Sequence, residues 1–436
     1  MEKVDYLIHG KHIITCEEHN QVLKNHTLVL KNGKIIAITP TASVRNTYAA
    51  THEYDYDKHA LLPGLVNSHT HITMNIFRGL SDDLALMDWL TNHIWPAEGK
   101  WLSKELVYDA SLLAIAEMIR GGTTCFNDMY FFPEATAQAA ELAGLRAYIG
   151  MHIFNIPNGW AKTFDECFTK GLAFYQAYKN HPLITPTIAP HSTYTLLLEQ
   201  FPKIKDIADQ YQLKINIHLQ EAYPETQAFI AQHNKTPLQA LHDLGMVSPQ
   251  LLAIHMVHAT EEDCAILQQT KANVVHCPES NMKLASGTCP IEKMRQLGVN
   301  IALGTDGAVS NNDLDMFGEM RSAAFIGKVS TQEPTAVPAE AALKMATING
   351  AKALSCDHLI GSLAVGKSAD FIAMDLEQIE TQPLYHPVSQ IVYAAGRHQV
   401  TDVWVAGKQL MKNRQLLTLD EKALLAKAKE WRNKIK

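Results

Sequence analysis

The residues best suited to chemistry are two histidines spaced two apart, His69 and His71, which end the run Leu61-Leu62-Pro63-Gly64-Leu65-Val66-Asn67-Ser68. Strand side chains alternate faces with period 2, so both imidazoles point the same way. Neutral imidazole is a preferred ligand of zinc and similar ions, and two converging from one strand end suit a metal. The opposing reading is a pair of polar loop histidines with no shared task. With 21 histidines in 436 residues, the pair alone decides little. His218, in Ile215-Asn216-Ile217-His218-Leu219-Gln220-Glu221, offers a third nitrogen, and Asp306, in Ala302-Leu303-Gly304-Thr305-Asp306-Gly307, a carboxylate oxygen. Three imidazoles and a carboxylate can hold a divalent ion and leave a position for water, as a catalytic site requires. Read blandly, His218 is a core histidine and Asp306 caps a helix before Ser310-Asn311-Asn312-Asp313. Glu221 follows His218 by three, so on an unbroken strand it faces away. It serves as a general acid or base only if the strand ends at His218 and the backbone turns; otherwise it is a solvated loop glutamate.

These residues need a scaffold that gathers distant strand ends. Between about residues 63 and 364, helical stretches such as Leu106–Arg120 and Pro133–Ala143 alternate with short apolar runs. The expected strands are the one before His69 and those at Thr123–Phe126, Arg146–Gly150, Leu183–Ala189, Lys214–Leu219, Leu251–His255, Asn273–His276 and Asn300–Gly304. Eight strands alternating with helices predict an α/β fold, a parallel (β/α)8 barrel of the TIM type, with a doubly wound open sheet as the alternative. Nearly every such strand ends in a histidine or carboxylate: His69 and His71, Asp128, His152, His191, His218 with Glu221, His255, His276 and Asp306. In a barrel those ends form one face, where active sites are built.

The flanks differ. Tyr6–Thr15, Thr27–Ile38 with its Asn32-Gly33 type I′ turn signal, Ala369–Met374 and Val403–Leu410 read as short strands. Both ends of the chain are expected to meet in a small β-sandwich domain, residues 1–62 and 365–436, around a barrel at 63–364. An amphipathic helix over Asp420–Lys434 closes the sequence. A length of 436 residues suits one large domain plus a smaller one. The net charge of −7 argues against nucleic acid or an anionic membrane as partner. The seven cysteines include no CxxC pair, which excludes a zinc finger and fits a reducing cytoplasm. No signal peptide and no apolar window of about 18 residues is evident.

The HxH after Leu-Pro-Gly, His218-x-x-Glu221, Ile254-His255-Met256-Val257-His258, His276-Cys277-Pro278-Glu279-Ser280-Asn281-Met282-Lys283-Leu284 and Gly304-Thr305-Asp306-Gly307-Ala308 together resemble the metal-dependent amidohydrolase superfamily. More narrowly, the chain looks like the 5′-methylthioadenosine/S-adenosylhomocysteine deaminases, over essentially its whole length. The resemblance implies hydrolysis of the adenine ring, of methylthioadenosine, S-adenosylhomocysteine or adenosine, to the inosine derivative and ammonia. One divalent ion per subunit is implied, zinc first, iron or manganese otherwise, on His69, His71, His218 and Asp306. It would supply hydroxide near neutral pH. Asp306 and His255 would take the water's proton, and Glu221 would protonate a ring nitrogen; His255 could instead only orient the water. In His93-Ile94-Trp95-Pro96-Ala97-Glu98, the glutamate after Trp-Pro corresponds to the family's ribose-gripping residue, although in isolation it is an ordinary helix glutamate. A carboxylate accepts from two vicinal hydroxyls at once. The resemblance also assigns His191 to the base and sugar, and Trp89, Asn281 and Ser310 to the pocket.

Several features bound that reading. The zinc nucleobase deaminases with HxE and PCxxC elements are excluded, since neither occurs here. The fourth strand offers no lysine for a carbamylated bridge, so one metal is expected. Some relatives carry an arginine in the loop taken to follow the fourth strand, for the substrate's amino-acid tail. Here that loop, His152-Ile153-Phe154-Asn155-Ile156-Pro157-Asn158-Gly159-Trp160, has none, and the next arginine is Arg295. An apolar loop predicts methylthioadenosine over S-adenosylhomocysteine. Rival readings are a guanine or cytosine deaminase, a triazine chlorohydrolase and, outside enzymes, a non-catalytic scaffold. The expected partner is a small nucleoside, in a homo-oligomer, dimer or tetramer.

Overall fold

In the computed structural model, which describes residues 1–17 and 21–436, nine strand segments form one sheet whose order follows the chain. The barrel strands are Leu65–His71, Thr123–Asp128, Arg146–Ile153, Ile184–Pro190, Ile215–Leu219, Leu251–His255, Asn273–His276 and Asn300–Leu303. All neighbouring pairs are parallel. The ninth segment, Asp306–Gly307, resumes the eighth strand after a two-residue break and pairs in parallel with the first, Asp306 opposite Thr70 and Gly307 opposite His71. That pairing closes the ring and excludes the open doubly wound sheet.

The closure is built from side chains as well as backbone. Asn67 brackets Thr305, donating from Nδ2 to Oγ1 at 2.8 Å and accepting from its backbone N–H at 3.1 Å. At Gly304 the eighth strand passes so near the first that a Cβ would lie 2.7 Å from the His69 carbonyl oxygen. Only glycine fits there.

The helices around the barrel follow local rules. Ser103 caps Lys104–Arg120 by accepting from the Leu106 N–H at 3.2 Å. Leu106, Val107, Ala110, Ala114, Ile115, Met118 and Ile119 then recur at helical spacing and are buried. Each larger one contributes about 1.5–3 kcal/mol of apolar burial. Gly121-Gly122 ends the helix and leads into the second strand.

The flanking segments form one eight-stranded sheet, in the order Gln415–Leu416, Lys408–Lys412, Val400–Val405, Phe371–Asp375, Tyr48–Pro63, Glu2–Ile14, Val22–Lys31, Lys34–Pro40. It packs on itself, because Leu28 and Ile35 from one end share a buried cluster with Trp404 from the other. The Asn32-Gly33 turn has φ of 51° and 73°, the type I′ signature expected of that dipeptide. The two regions are joined by a buried bidentate pair, Arg146 Nε to Asp370 Oδ2 at 3.0 Å and Nη2 to Oδ1 at 3.2 Å. The final helix spans Glu421–Ile435, capped by Asp420, and its Trp431 indole N–H donates to Asp109 Oδ2 at 2.9 Å. Of segment 152–160, His152 and Ile153 complete the strand Arg146–Ile153, the third of the barrel, so residues 154–160 are the loop after the third strand rather than the fourth. No helix is long and apolar enough to cross a membrane among the described residues.

Candidate metal centre and cavity

At the carboxyl end of the barrel, His69, His71, His218 and Asp306 converge. His218 Nε2 lies 3.2 Å from Nε2 of both His69 and His71, and Asp306 Oδ1 lies 3.3 Å and 3.2 Å from the same two nitrogens. Donors each about 2.0 Å from one ion at the tetrahedral angle stand roughly 3.3 Å apart, so the spacing fits a single shared cation. The tautomers agree. His71 Nδ1 donates to the Met129 carbonyl at 2.5 Å and His218 Nδ1 to the His191 carbonyl at 2.7 Å, which leaves each Nε2 lone pair turned inward. Asp306, at φ 58°, is oriented by two hydroxyls, Ser280 Oγ at 2.7 Å and Ser310 Oγ at 2.9 Å, both donating to Oδ2. The helix cap expected of Asp306 in the bland reading falls instead to Asp315, which opens Met316–Thr331.

The electrostatics call for positive charge at the same point. Burial lowers the pKa of His69 to about 4 and that of His218 well below its ordinary value, so both are neutral. Burial opposes charging of Asp306, but its bonds to His69 and His71 prevail and hold it ionised. Burial likewise disfavours a charged His71, yet the Asp306 carboxylate lifts its pKa to about 8, so its Nε2 lone pair competes for a proton that a bound cation would displace.

Glu221 reaches this centre because the fifth strand stops at Leu219 and Gln220 adopts φ 51°. That left-handed residue is pinned by its amide, which donates to the His258 carbonyl and Asp263 and accepts from the Leu238 N–H. Buried at 5 % exposure, the Glu221 carboxyl stands 3.8 Å from His255 Nε2. Burial and the nearby charges of Asp306 and Glu225 raise its pKa well above the usual carboxyl range. It therefore retains a proton to donate. His255 ends the sixth strand at φ 72°, and its Nδ1 donates to Asn281 Oδ1 at 3.0 Å, leaving Nε2 bare toward Glu221. Glu221, His255 and Asp306 also form a close-set group of potential ligands.

The cluster forms part of the lining of a cavity. Glu98 lines the same cavity; 7 % exposed, it accepts from Tyr130 Oη at 2.5 Å, and burial raises its pKa to about 7. Trp89, Trp95, Phe131 and Phe154 wall the space between. Trp89 is fixed by its indole N–H donating to the Ser81 carbonyl at 3.1 Å. His191 also lines the cavity, its Nδ1 near Ser192 and Thr195 hydroxyls, with its ring centroid 4.9 Å from that of His218. None of the lining residues is lysine or arginine.

Not every expected residue lines the cavity. Ser310 does, whereas Asn281 stands behind His255 and touches the space only through it. Of the strand-end residues, Asp128 instead accepts from the Ile72 N–H at 2.9 Å, holding the turn after His71. His276 is buried outside the lining. Ser280 and Tyr130, which hold the two carboxylates, are not marked by the sequence. Ser280 sits inside a quoted motif and Tyr130 two residues past Asp128, but neither spacing carries a signal.

The chain matches the model of the amidohydrolase family over residues 60–410. It is 43% identical over 432 residues to the 5-methylthioadenosine/S-adenosylhomocysteine deaminase of Teredinibacter turnerae, covering 99% of this chain and 98% of that protein. The deaminase of the same description from Saccharophagus degradans is 42% identical, covering 99% and 97%. Among solved structures, a zinc-bound adenosine deaminase from Xanthomonas campestris superposes with a TM-score of 0.98 at 44% identity, covering 100% of this chain and 99% of that one. A triazine hydrolase variant at 21% identity, with a TM-score of 0.90 over 98% of this chain and 99% of that one, shares the fold.

Proposed function

The chain belongs to the amidohydrolase family, and from that premise we propose that its cavity deaminates adenine nucleosides, 5′-methylthioadenosine above all, to the inosine derivative and ammonia. It is a hydrolase acting on the C–N bond of a cyclic amidine. The observation that carries this reading is a buried carboxylate, Glu98, lining the same cavity as the His/Asp cluster. Glu98 accepts from the ribose hydroxyls, His191 contacts base and sugar, Trp89 packs against the purine or thioether, and Ser310 holds Asp306. The nucleoside is thereby held with C6 toward Glu221.

His69, His71, His218 and Asp306 are the residues that would hold one divalent ion, zinc foremost, with iron and manganese as alternatives for a site of nitrogen and oxygen donors. When bound, it supplies an acidified water near neutral pH. Glu221 donates its proton to a ring nitrogen as the water oxygen bonds to C6. His255 Nε2 and Asp306 take one proton of the water and pass it to the amine; as the C–N bond breaks and ammonia leaves, the remaining hydroxyl proton returns to Glu221, giving the C6 carbonyl and restoring the acid. Asn281 acts through His255, fixing its tautomer.

A lining without lysine or arginine favours methylthioadenosine over S-adenosylhomocysteine, since the carboxylate of a zwitterionic tail finds no such partner there and burying an unpaired charge is costly. A guanine, cytosine or triazine substrate would leave Glu98 without its hydroxyls, which disfavours those readings. All the residues the chemistry needs are present, which disfavours a scaffold role. The seven buried free cysteines suit the cytoplasm. A dimer or tetramer is expected, read by light scattering. The functional test is ammonia release by metal-replete protein from methylthioadenosine, S-adenosylhomocysteine, adenosine, guanine and cytosine. Release from methylthioadenosine with the highest kcat/KM is expected; a preference for guanine or cytosine contradicts the reading, and a preference for the homocysteine conjugate contradicts the assignment of the tail.

A further inference from the structure

We propose that His152 determines specificity at the 5′ position of the bound nucleoside, presenting one neutral N–H donor from within an aromatic wall. The proposal rests on the adenine-nucleoside reading above and gives a task to a histidine that the reaction leaves unused. His152 lies on the third barrel strand, 3 % exposed, yet its ring is part of the cavity wall. Phe131 stands edge-on to it at 4.6 Å between centroids, and Phe154 stacks at 5.5 Å. Trp95 in turn meets Phe154 at 6.3 Å.

Buried polar groups ordinarily find partners, but Nδ1 of His152 has none among the described residues. An N–H buried without an acceptor is costlier than a bare ring nitrogen, so the neutral ring keeps its proton on Nε2. Burial, with the neighbouring His191 and His71, pushes its pKa well below the ordinary value, so the ring stays uncharged.

Its place along the cavity identifies what it meets. Phe131 follows Tyr130, the residue that holds Glu98, and His191 stands between His152 and His218, with centroids 5.9 Å and 4.9 Å away. His152 is therefore at the sugar end. With the hydroxyls on Glu98 and the base toward Glu221, the group on C5′ is what remains to face this wall. A lone neutral donor suits an uncharged oxygen or sulfur there.

The test is steady-state kinetics of His152→Leu and His152→Gln on adenosine, methylthioadenosine and 5′-deoxyadenosine, the last having no heteroatom on C5′. His152→Leu should lower kcat/KM for adenosine about three- to tenfold, chiefly through KM, as loss of one neutral hydrogen bond does. The loss should be smaller for methylthioadenosine, because thioether sulfur is a weaker acceptor, and absent for 5′-deoxyadenosine. His152→Gln, which keeps an amide donor near the Nε2 position, should restore most of the difference. An equal loss on all three substrates, or a glutamine variant no better than leucine, overturns the proposal. Should the leucine variant not fold, His152→Phe carries the same expectation. If the unaltered protein releases ammonia from none of the three nucleosides, the functional reading itself fails, an outcome plainly distinct from an unchanged substrate ratio.

Discussion

The two ends of the cavity are built differently. At the metal end, side chains arrive from several barrel strands, and second bonds orient them: backbone carbonyls for His71 and His218, serines for Asp306, an asparagine for His255. At the sugar end, Trp89, Trp95 and Glu98 all come from one helical stretch, Leu86–Trp101, interrupted by a π turn over Leu90–Ile94. Chemistry thus rests on the barrel itself, where a shift in any strand is resisted by its neighbours. In the proposed reading the ribose hydroxyls are gripped from one connection outside the ring, while His152 reaches the sugar from the third barrel strand. Substitutions at the first end should cost turnover, and those at the second should cost affinity and discrimination.

The largest effect is expected at Asp306. Asp306→Asn keeps the shape and the serine contacts but removes the only anionic donor, so bound metal and ammonia release should both be lost; metal analysis beside an activity assay checks this. Glu221→Gln should retain metal yet lower kcat roughly 10²- to 10⁴-fold. Because the proposed role of Glu221 requires its proton and its pKa is raised well above the usual range, kcat of the unaltered protein should be present at lower pH and fall as pH rises through the raised pKa. A glutamine variant that turns over normally removes the residue from the mechanism.

Glu98→Gln should leave kcat nearly intact and raise KM roughly 10- to 100-fold, as loss of hydrogen bonds to a charged acceptor does. Substrates lacking the 2′-hydroxyl should be much less affected. The proposed role of Glu98 requires a carboxylate to accept both hydroxyls, and its pKa is lifted to about 7. The kcat/KM of the unaltered protein should therefore climb as pH rises through that region, with this limb absent in the variant. The smallest effect is expected at Ser280→Ala, which removes one of two hydroxyls on Asp306 and should weaken metal retention about tenfold, the lower end for such supporting bonds. A Ser280 variant that loses affinity for nucleoside but not for metal would undo the contrast between the two ends.

What could be read from residues alone followed the same division. Period 2 put His69 and His71 on one face, and alternating strands and helices fixed the barrel, because both depend on local geometry. Glu221 stayed conditional because its direction depends on Gln220 at φ 51°, a conformation for which glutamine carries no sequence signal. Asp128 and His276 share the strand-end pattern with the candidate ligands, yet Asp128 accepts from the Ile72 N–H and His276 is buried outside the cavity lining, a difference that spacing does not reveal. Glu98 came to notice through resemblance, since a single glutamate in a helix announces nothing. Its partner Tyr130 emerged only from tertiary contact.

The most direct measurement is ammonia release from methylthioadenosine by metal-stripped protein titrated with zinc. Activity should rise linearly and saturate at one ion per chain. Release that needs two ions, or that persists undiminished in the stripped protein, would contradict a single cation gathered by His69, His71, His218 and Asp306.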